Sequence, residues 1–321
     1  MKLGVFSILF NEKTLEETLE YLSGIGAEAA EIGTGGYSRS KHGVLDELLG
    51  NGTGLNAFKE AFKKNNMFVS ALSCHGNPVH PRKEIAERDH EDFVKTVLLA
   101  EKLGVDRVLV ASGCPGGSPK DETPNWVTCP WPDDFLKIRD YQWNEVLIPY
   151  WKKATAFARE HGVDKIGVEP HPGFCVYNTE TLLRLRNGVG KEIGMNFDPS
   201  HFFWQGMDPK TVIMETGDCI FHIHAKDCVL DKKNISMNGV LDTKHYSNVK
   251  DRSWTFRTVG YGHSEEVWKE IISMLAAVGY DYVLSVEHED CLMAKEEGLE
   301  KAVSFLKNII IRDKPGNMWW A

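Results

Sequence analysis

The stretch GVEPHPGF, residues 167–174, decides the fold: an apolar run of strand character stops there at a glutamate, a proline and a histidine. Taken from Lys165, the run KIGVE has the length of a buried strand, and the Pro and Gly that follow mark a turn. Seven further runs of the same kind punctuate the chain: LGVFSI (3–8), AAEIG (29–33), FVSAL (68–72), DRVLVA (106–111), IGMNF (193–197), CIFHIH (219–224) and YVLSVE (282–287). Apolar runs without strict polar alternation belong to strands covered on both faces, as in a parallel sheet.

Stretches with helical spacing separate them. In TLEETLEYLSGIG (14–26), Leu15, Leu19 and Leu22 share one face and Gly24 and Gly26 close the segment. FVKTVLLAEKLGV, VLIPYWKKATAFAREHGV, ETLLRLRNGVG and SEEVWKEIISMLAAVGY read likewise. Eight strands alternating with helices are expected to form a closed (β/α)8 TIM barrel, which buries both sheet faces and leaves no edge; an open doubly wound sheet is the alternative. With no low-complexity linker, residues 1–321 read as one barrel domain. Long insertions are expected near 112–140 and 228–256, and a tail over 312–321.

A formal net charge of −9 argues against a general nucleic-acid or membrane-surface binder. The seven cysteines are scattered without a CxxC pair, which suits a reducing cytoplasm. The start, MKLGVFSILFNEKT, is too short and too strand-like for a leader or a membrane span, so the expectation is a soluble cytoplasmic protein.

A TIM barrel carries its chemistry at the C-terminal strand ends. Four consecutive runs end on polar groups there: Glu169, Asp198 and His201 in NFDPSH, His224 in FHIHAKD, and Glu287 in SVEHED. Singly, each acid could be a helix cap or a surface charge, and a histidine within an apolar run, such as His222, is more often a core residue. Jointly, Glu169, Asp198, His224 and Glu287 on one rim would repel unless a cation compensated them. That oxygen and imidazole set suits one hard or borderline divalent cation. EIGTGG (31–36) lacks the register of a dinucleotide fingerprint.

Glu, Asp-x-x-His, His-x-Lys-Asp and Glu, in this order on the last four strands, resemble the xylose-isomerase-like barrel superfamily of sugar and sugar-phosphate isomerases and epimerases. The resemblance covers nearly the whole chain. It implies one divalent cation, manganese first, with magnesium or cobalt possible, on Glu169, Asp198, His224 and Glu287. It further implies that Glu169 and Glu287 exchange a proton beside a metal-bound carbonyl, that His201 orients a substrate oxygen, and that Arg257 helps bind the substrate.

The chain departs from the plain epimerase pattern in EPHPGF, where Pro170 fixes a turn and His171 should project into the same mouth as Glu169. His171 is thus a candidate general base, with a backbone-bonded loop histidine as the bland reading. Trp126, in the long segment after the fourth run, is a candidate for stacking on a sugar face; packing of that loop on itself is the alternative. His75, in SCHGNPVHP, is a candidate for contact with a substrate hydroxyl, and Glu31 faces either the pocket or a buried lysine.

Long loops with a histidine after the fifth-strand glutamate resemble the subset containing C-glycoside deglycosidase catalytic subunits and lyases or hydratases of 3-keto-sugars. A lyase on 3-keto-glycosides is therefore the second functional expectation. An apurinic-endonuclease-like hydrolase shares the barrel, but needs several metals and a basic surface. The expected partner is a small-molecule sugar or glycoside. Trp319 and Trp320 in the tail suggest a homo-oligomer or a complex with a small partner subunit.

Overall fold

In the computed structural model, residues 1–50, 52–314, 316, 318 and 320 are described. These residues form ten strands: β1 (Lys2–Phe6), β2 (Ala29–Gly36), β3 (Phe68–His75), β4 (Arg107–Ala111), β5 (Lys165–Glu169), β6 (Ile193–Phe197), β7 (Ile220–Ala225), β8 (Asp227–Leu230), β9 (Trp254–Arg257) and β10 (Val283–Val286). Eight of them close into a parallel barrel in the order β1-β10-β7-β6-β5-β4-β3-β2, and each corresponds to one of the apolar runs. The open-sheet alternative is excluded by the pairing of β1 with β10, Gly4 opposite Ser285.

Among the described residues, twelve α-helices flank the barrel or lie in its connections: α1 (Leu15–Ile25), α2 (Leu45–Leu49), α3 (Thr53–Lys64), α4 (Lys83–Leu103), α5 (Asp134–Tyr141), α6 (Ile148–Glu160), α7 (Thr179–Val189), α8 (Pro199–Trp204), α9 (Pro209–Thr216), α10 (Lys232–Asn238), α11 (Glu265–Ala277) and α12 (Lys295–Ile309). At the start of α1, Thr14 and Glu17 form a reciprocal capping box, and Gly26, at φ 89°, ends it in the left-handed conformation that disfavours a side chain. Gly24 lies inside the helix. Helix α4 begins ten residues before the apolar period does, because its first turns are charged; Asp89 and Asp92 there turn inward to accept from the backbone of Asn77 and Gly36.

Both long connections have internal structure. After β4, buried Gln142 donates to the carbonyls of Pro115, Gly116 and Asn125 and gathers that loop. After β7, the expected loop is instead framed by an antiparallel ribbon, β8 on β9, with Asp227 opposite Arg257. The sequence hid this ribbon because its strands are four residues each and 23 residues apart. Trp254 of β9 stacks on Trp204 of α8 at 4.6 Å, fixing the ribbon over the barrel. Among the described residues, no helix is long and apolar enough to cross a membrane. In the tail, Trp320 is exposed and Trp319 lies outside the described residues.

Asp227, the acid of the His-x-Lys-Asp segment, is the hub of this region. Fully buried, it accepts from the backbone of Cys228, Gly260, Gly262 and His263, from Trp268 Nε1, and pairs with His263 Nδ1 at 2.7 Å. Asp227→Ala would strand several buried donors at once. It is expected to cost about 3 kcal/mol or more, read as a lowered urea midpoint.

Candidate metal centre

The last four parallel strands of the chain bring four side chains to one end of the barrel. Glu169 closes β5, Asp198 follows β6, His224 sits near the end of β7, and Glu287 follows β10. One ligand atom from each lies within 4.8 Å of the others. Glu169, Asp198 and His224 are buried and Glu287 is half-buried. The sequence DPSH explains the posture of Asp198. Its Oδ1 caps α8 by accepting from Ser200 N at 2.9 Å, Pro199 takes the first helical position, and His201 comes round to face back toward the site.

His224 is oriented from both sides. Its Nδ1 lies 3.1 Å from Glu287 Oε2 and 3.7 Å from Glu169 Oε2, and its Nε2 lies 2.9 Å from Glu31 Oε1. Burial opposes protonation of His224, but Glu31 and Glu287 raise its pKa well above the ordinary value. Glu31, buried in β2, also accepts from Ser73 Oγ; although burial raises it, His224 pulls its pKa down to about 2. A carboxylate fixing one ring nitrogen while the other faces a ligand cluster is the usual support of a metal-binding histidine.

Glu169 is held on both oxygens, by His201 Nε2 at 3.1 Å and His75 Nε2 at 2.9 Å. The hydrogen bond from His201 and the close approach of His75 keep its carboxyl well below the ordinary range, against the effect of burial. Lys226, its side chain 3% exposed, stands among Glu287 Oε2 at 2.7 Å, Asp198 Oδ2 at 3.0 Å and Glu289 Oε2 at 3.1 Å. Burial alone would lower the lysine pKa, and the carboxylates raise it instead.

This donor set fits a divalent cation. Five carboxylates, Glu31, Glu169, Asp198, Glu287 and Glu289, face Lys226 and His224, so negative charge exceeds positive. Asp198 Oδ2 is buried without a well-directed hydrogen bond, an oxygen that a cation would satisfy. Three carboxylates and one imidazole suit manganese, magnesium, cobalt or zinc rather than a thiophilic ion.

Beside the cluster lies a cavity of about 320 Å³, lined in part by His75, Glu169, His171, Phe174, Lys226 and Glu287. His75, His171 and His201 therefore converge on the site. The His171 ring centroid is 4.2 Å from that of His201, and burial pushes its pKa down to about 3. Its Nδ1 lies 2.7 Å from the Pro172 carbonyl oxygen, so Nδ1 carries the proton and Nε2 keeps its lone pair.

Arg257 and Trp126 are not among the described lining residues. Arg257 donates to Asp290 at 3.0 Å, and Trp126 packs edge-on against Tyr177, in the connection between β5 and α7, at 5.5 Å, so the loop packs on its neighbour rather than only on itself. His222 is buried in the barrel, its Nδ1 3.9 Å from Glu31. Sequence reasoning did not assign Lys226 or Glu289 to the site. Both stood within quoted motifs, and the surplus of carboxylates at the strand ends was the signal that a buried cation was needed. Glu31 was expected to face the pocket or a lysine, and it meets His224 instead.

The sequence matches the family described as "Xylose isomerase-like TIM barrel" over residues 19–309. It is 40% identical to the uncharacterized protein YfiH of Bacillus subtilis (strain 168), over 97% of this chain and 99% of YfiH. The structure resembles that of the IOLI protein with a binding zinc atom, with a TM-score of 0.66 and 20% identity, covering 97% and 98% of the two chains. It also resembles 3-keto-D-glucoside 4-epimerase, YcjR, of E. coli, with a TM-score of 0.64 and 13% identity, covering 96% and 99%. At these identities the structural likeness is one of fold.

Glu31→Gln removes the charge behind His224 while keeping its size. The expected result is divalent-cation affinity weakened about 10–100-fold, measured by competition with a chromophoric chelator, with an unchanged far-ultraviolet spectrum.

Proposed function

We propose that this chain, which belongs to the xylose isomerase-like TIM barrel family, holds one divalent cation, manganese foremost, on Glu169, Asp198, His224 and Glu287. With it, the protein moves a proton at the carbon beside a sugar carbonyl, as an isomerase or epimerase. The observation that carries this reading is the convergence of the four ligand atoms within 4.8 Å beside a sugar-sized cavity. The zinc named for the IOLI protein and the epimerase named for YcjR support it at the level of fold.

When bound, such a cation supplies Lewis-acid polarisation of a carbonyl oxygen, stabilising the charge left by a departing proton. The protein's own part is to position the proton carriers. Glu169 ends β5 and Glu287 directly follows β10, with β6 and β7 between the two strands, so they approach the cavity from opposite ends of the ligand arc. One can take a proton from one side of a carbon and the other return it. His75 and His201 fix the first, and Lys226 the second. His201 reaches Asp198 as well, at 3.3 Å, and is placed to orient a substrate oxygen.

A second reading is elimination from a 3-keto-glycoside with His171 as base. It is favoured by the neutral imidazole among the cavity walls, whose Nδ1 donates to the Pro172 carbonyl so that Nε2 keeps its lone pair. A base that holds no metal leaves both glutamates free to serve as ligands.

With metal-loaded protein, solvent deuterium is expected to enter a keto-sugar at the carbon beside its carbonyl, followed by NMR or mass spectrometry. Glu287→Gln should slow this exchange by about 10²–10⁴-fold. His171→Ala separates the two readings. Retained exchange with epimerised product supports the glutamate pair, whereas loss of exchange together with loss of aglycone release assigns the base to His171.

A further inference from the structure

The exposed rim of the cavity has features that proton transfer does not use. Tyr37 is 67% exposed and lines the same cavity as Glu169 and Glu287. Gly36 sends it there. At φ 57° the chain leaves β2 in a left-handed turn, and a Cβ on Gly36 would fall 2.1 Å from the His75 carbonyl oxygen. Tyr37 N then donates to that same oxygen at 2.6 Å. Phe174 stands beside it, ring centroids 6.4 Å apart, and its ring packs edge-on against His171 at 5.6 Å. A tilted pair of accessible aromatic faces over a polar cavity is a surface on which a ring can stack.

The charge of the rim is the second observation. Among the described lining residues Lys226 is the one lysine or arginine, and its ammonium is surrounded by three carboxylate oxygens at 2.7, 3.0 and 3.1 Å. Glu289, its side chain 49% exposed, adds a carboxylate at the opening. Even with one divalent cation bound, the five carboxylates leave the region net negative. A phosphate ester would meet Glu289 without an uncommitted lysine or arginine among those lining residues to neutralise it.

We infer that this site takes an uncharged keto-glycoside, its aglycone ring stacked on Tyr37 and Phe174, and that Glu289 discriminates against phosphorylated sugars. The inference rests on the reading of the cluster as a sugar site, and it names the substrate class.

The test is calorimetric titration of manganese-loaded protein with phenyl 3-keto-glucoside, free 3-keto-glucose and 3-keto-glucose 6-phosphate. The phenyl glycoside is expected to bind about tenfold more tightly than the free sugar, the scale of one aromatic contact. Tyr37→Ala should remove that advantage and leave the free sugar unchanged. The phosphate ester should bind at least about tenfold more weakly than the free sugar, and Glu289→Gln should narrow that gap. Equal binding of the ester, an equal effect of Tyr37→Ala on both neutral ligands, or no binding of either neutral ligand overturns the assignment. Deuterium exchange into the same compounds tests the reaction separately. The stated binding preferences without exchange contradict the proton-transfer reading and support the rim assignment, whereas exchange without those preferences contradicts the rim assignment alone.

Discussion

Five carboxylates, one lysine and one doubly engaged histidine share the mouth of this barrel, and their mutual compensation is the constraint on which the site depends. Charges of one sign cannot be crowded away from water without partners. Lys226 and His224 supply part of the compensation: Lys226 bridges Asp198, Glu287 and Glu289, and His224 bridges Glu31 and Glu287. The balance remains negative, and that surplus is what suits the cluster to a cation rather than to a closed network of ion pairs.

The barrel makes the crowding possible. In a closed parallel sheet every strand ends on the same side, so residues far apart in the chain become neighbours without any one loop having to reach across. Glu31 and His224 are 193 positions apart in sequence and in direct contact. The ribbon of β8 and β9, fixed by Asp227 and by the stacking of Trp254 on Trp204, lies next to this cluster. It places Phe256 under the Lys226 ammonium at 4.7 Å and edge-on to His201 at 5.6 Å. Packing in the ribbon and polarity in the site therefore support each other.

The parallel strands were legible in the sequence because each is a short apolar run bounded by turn residues. The quartet was legible because, in a barrel, strand ends are a privileged position. The ribbon was not legible, since two four-residue strands separated by a helix and a loop carry little periodicity. Contacts that depend on the third dimension were hidden as well. Nothing in a linear reading shows that Glu31 meets His224, or that Arg257 turns to Asp290 while Lys226 becomes the cation of the site. Trp126 was a reasonable choice for an aromatic wall. The cavity instead uses Tyr37 and Phe174, whose positions follow from the turn at Gly36 and from the chain path after Pro170.

A cation at the four strand ends is what the proposed chemistry requires, and anomalous diffraction from a manganese-loaded crystal tests this most directly. The expected result is a single strong manganese peak bonded to Glu169, Asp198, His224 and Glu287, with His224 still held by Glu31. No peak at these residues in the presence of excess manganese, or a peak at a different set of side chains, would contradict it.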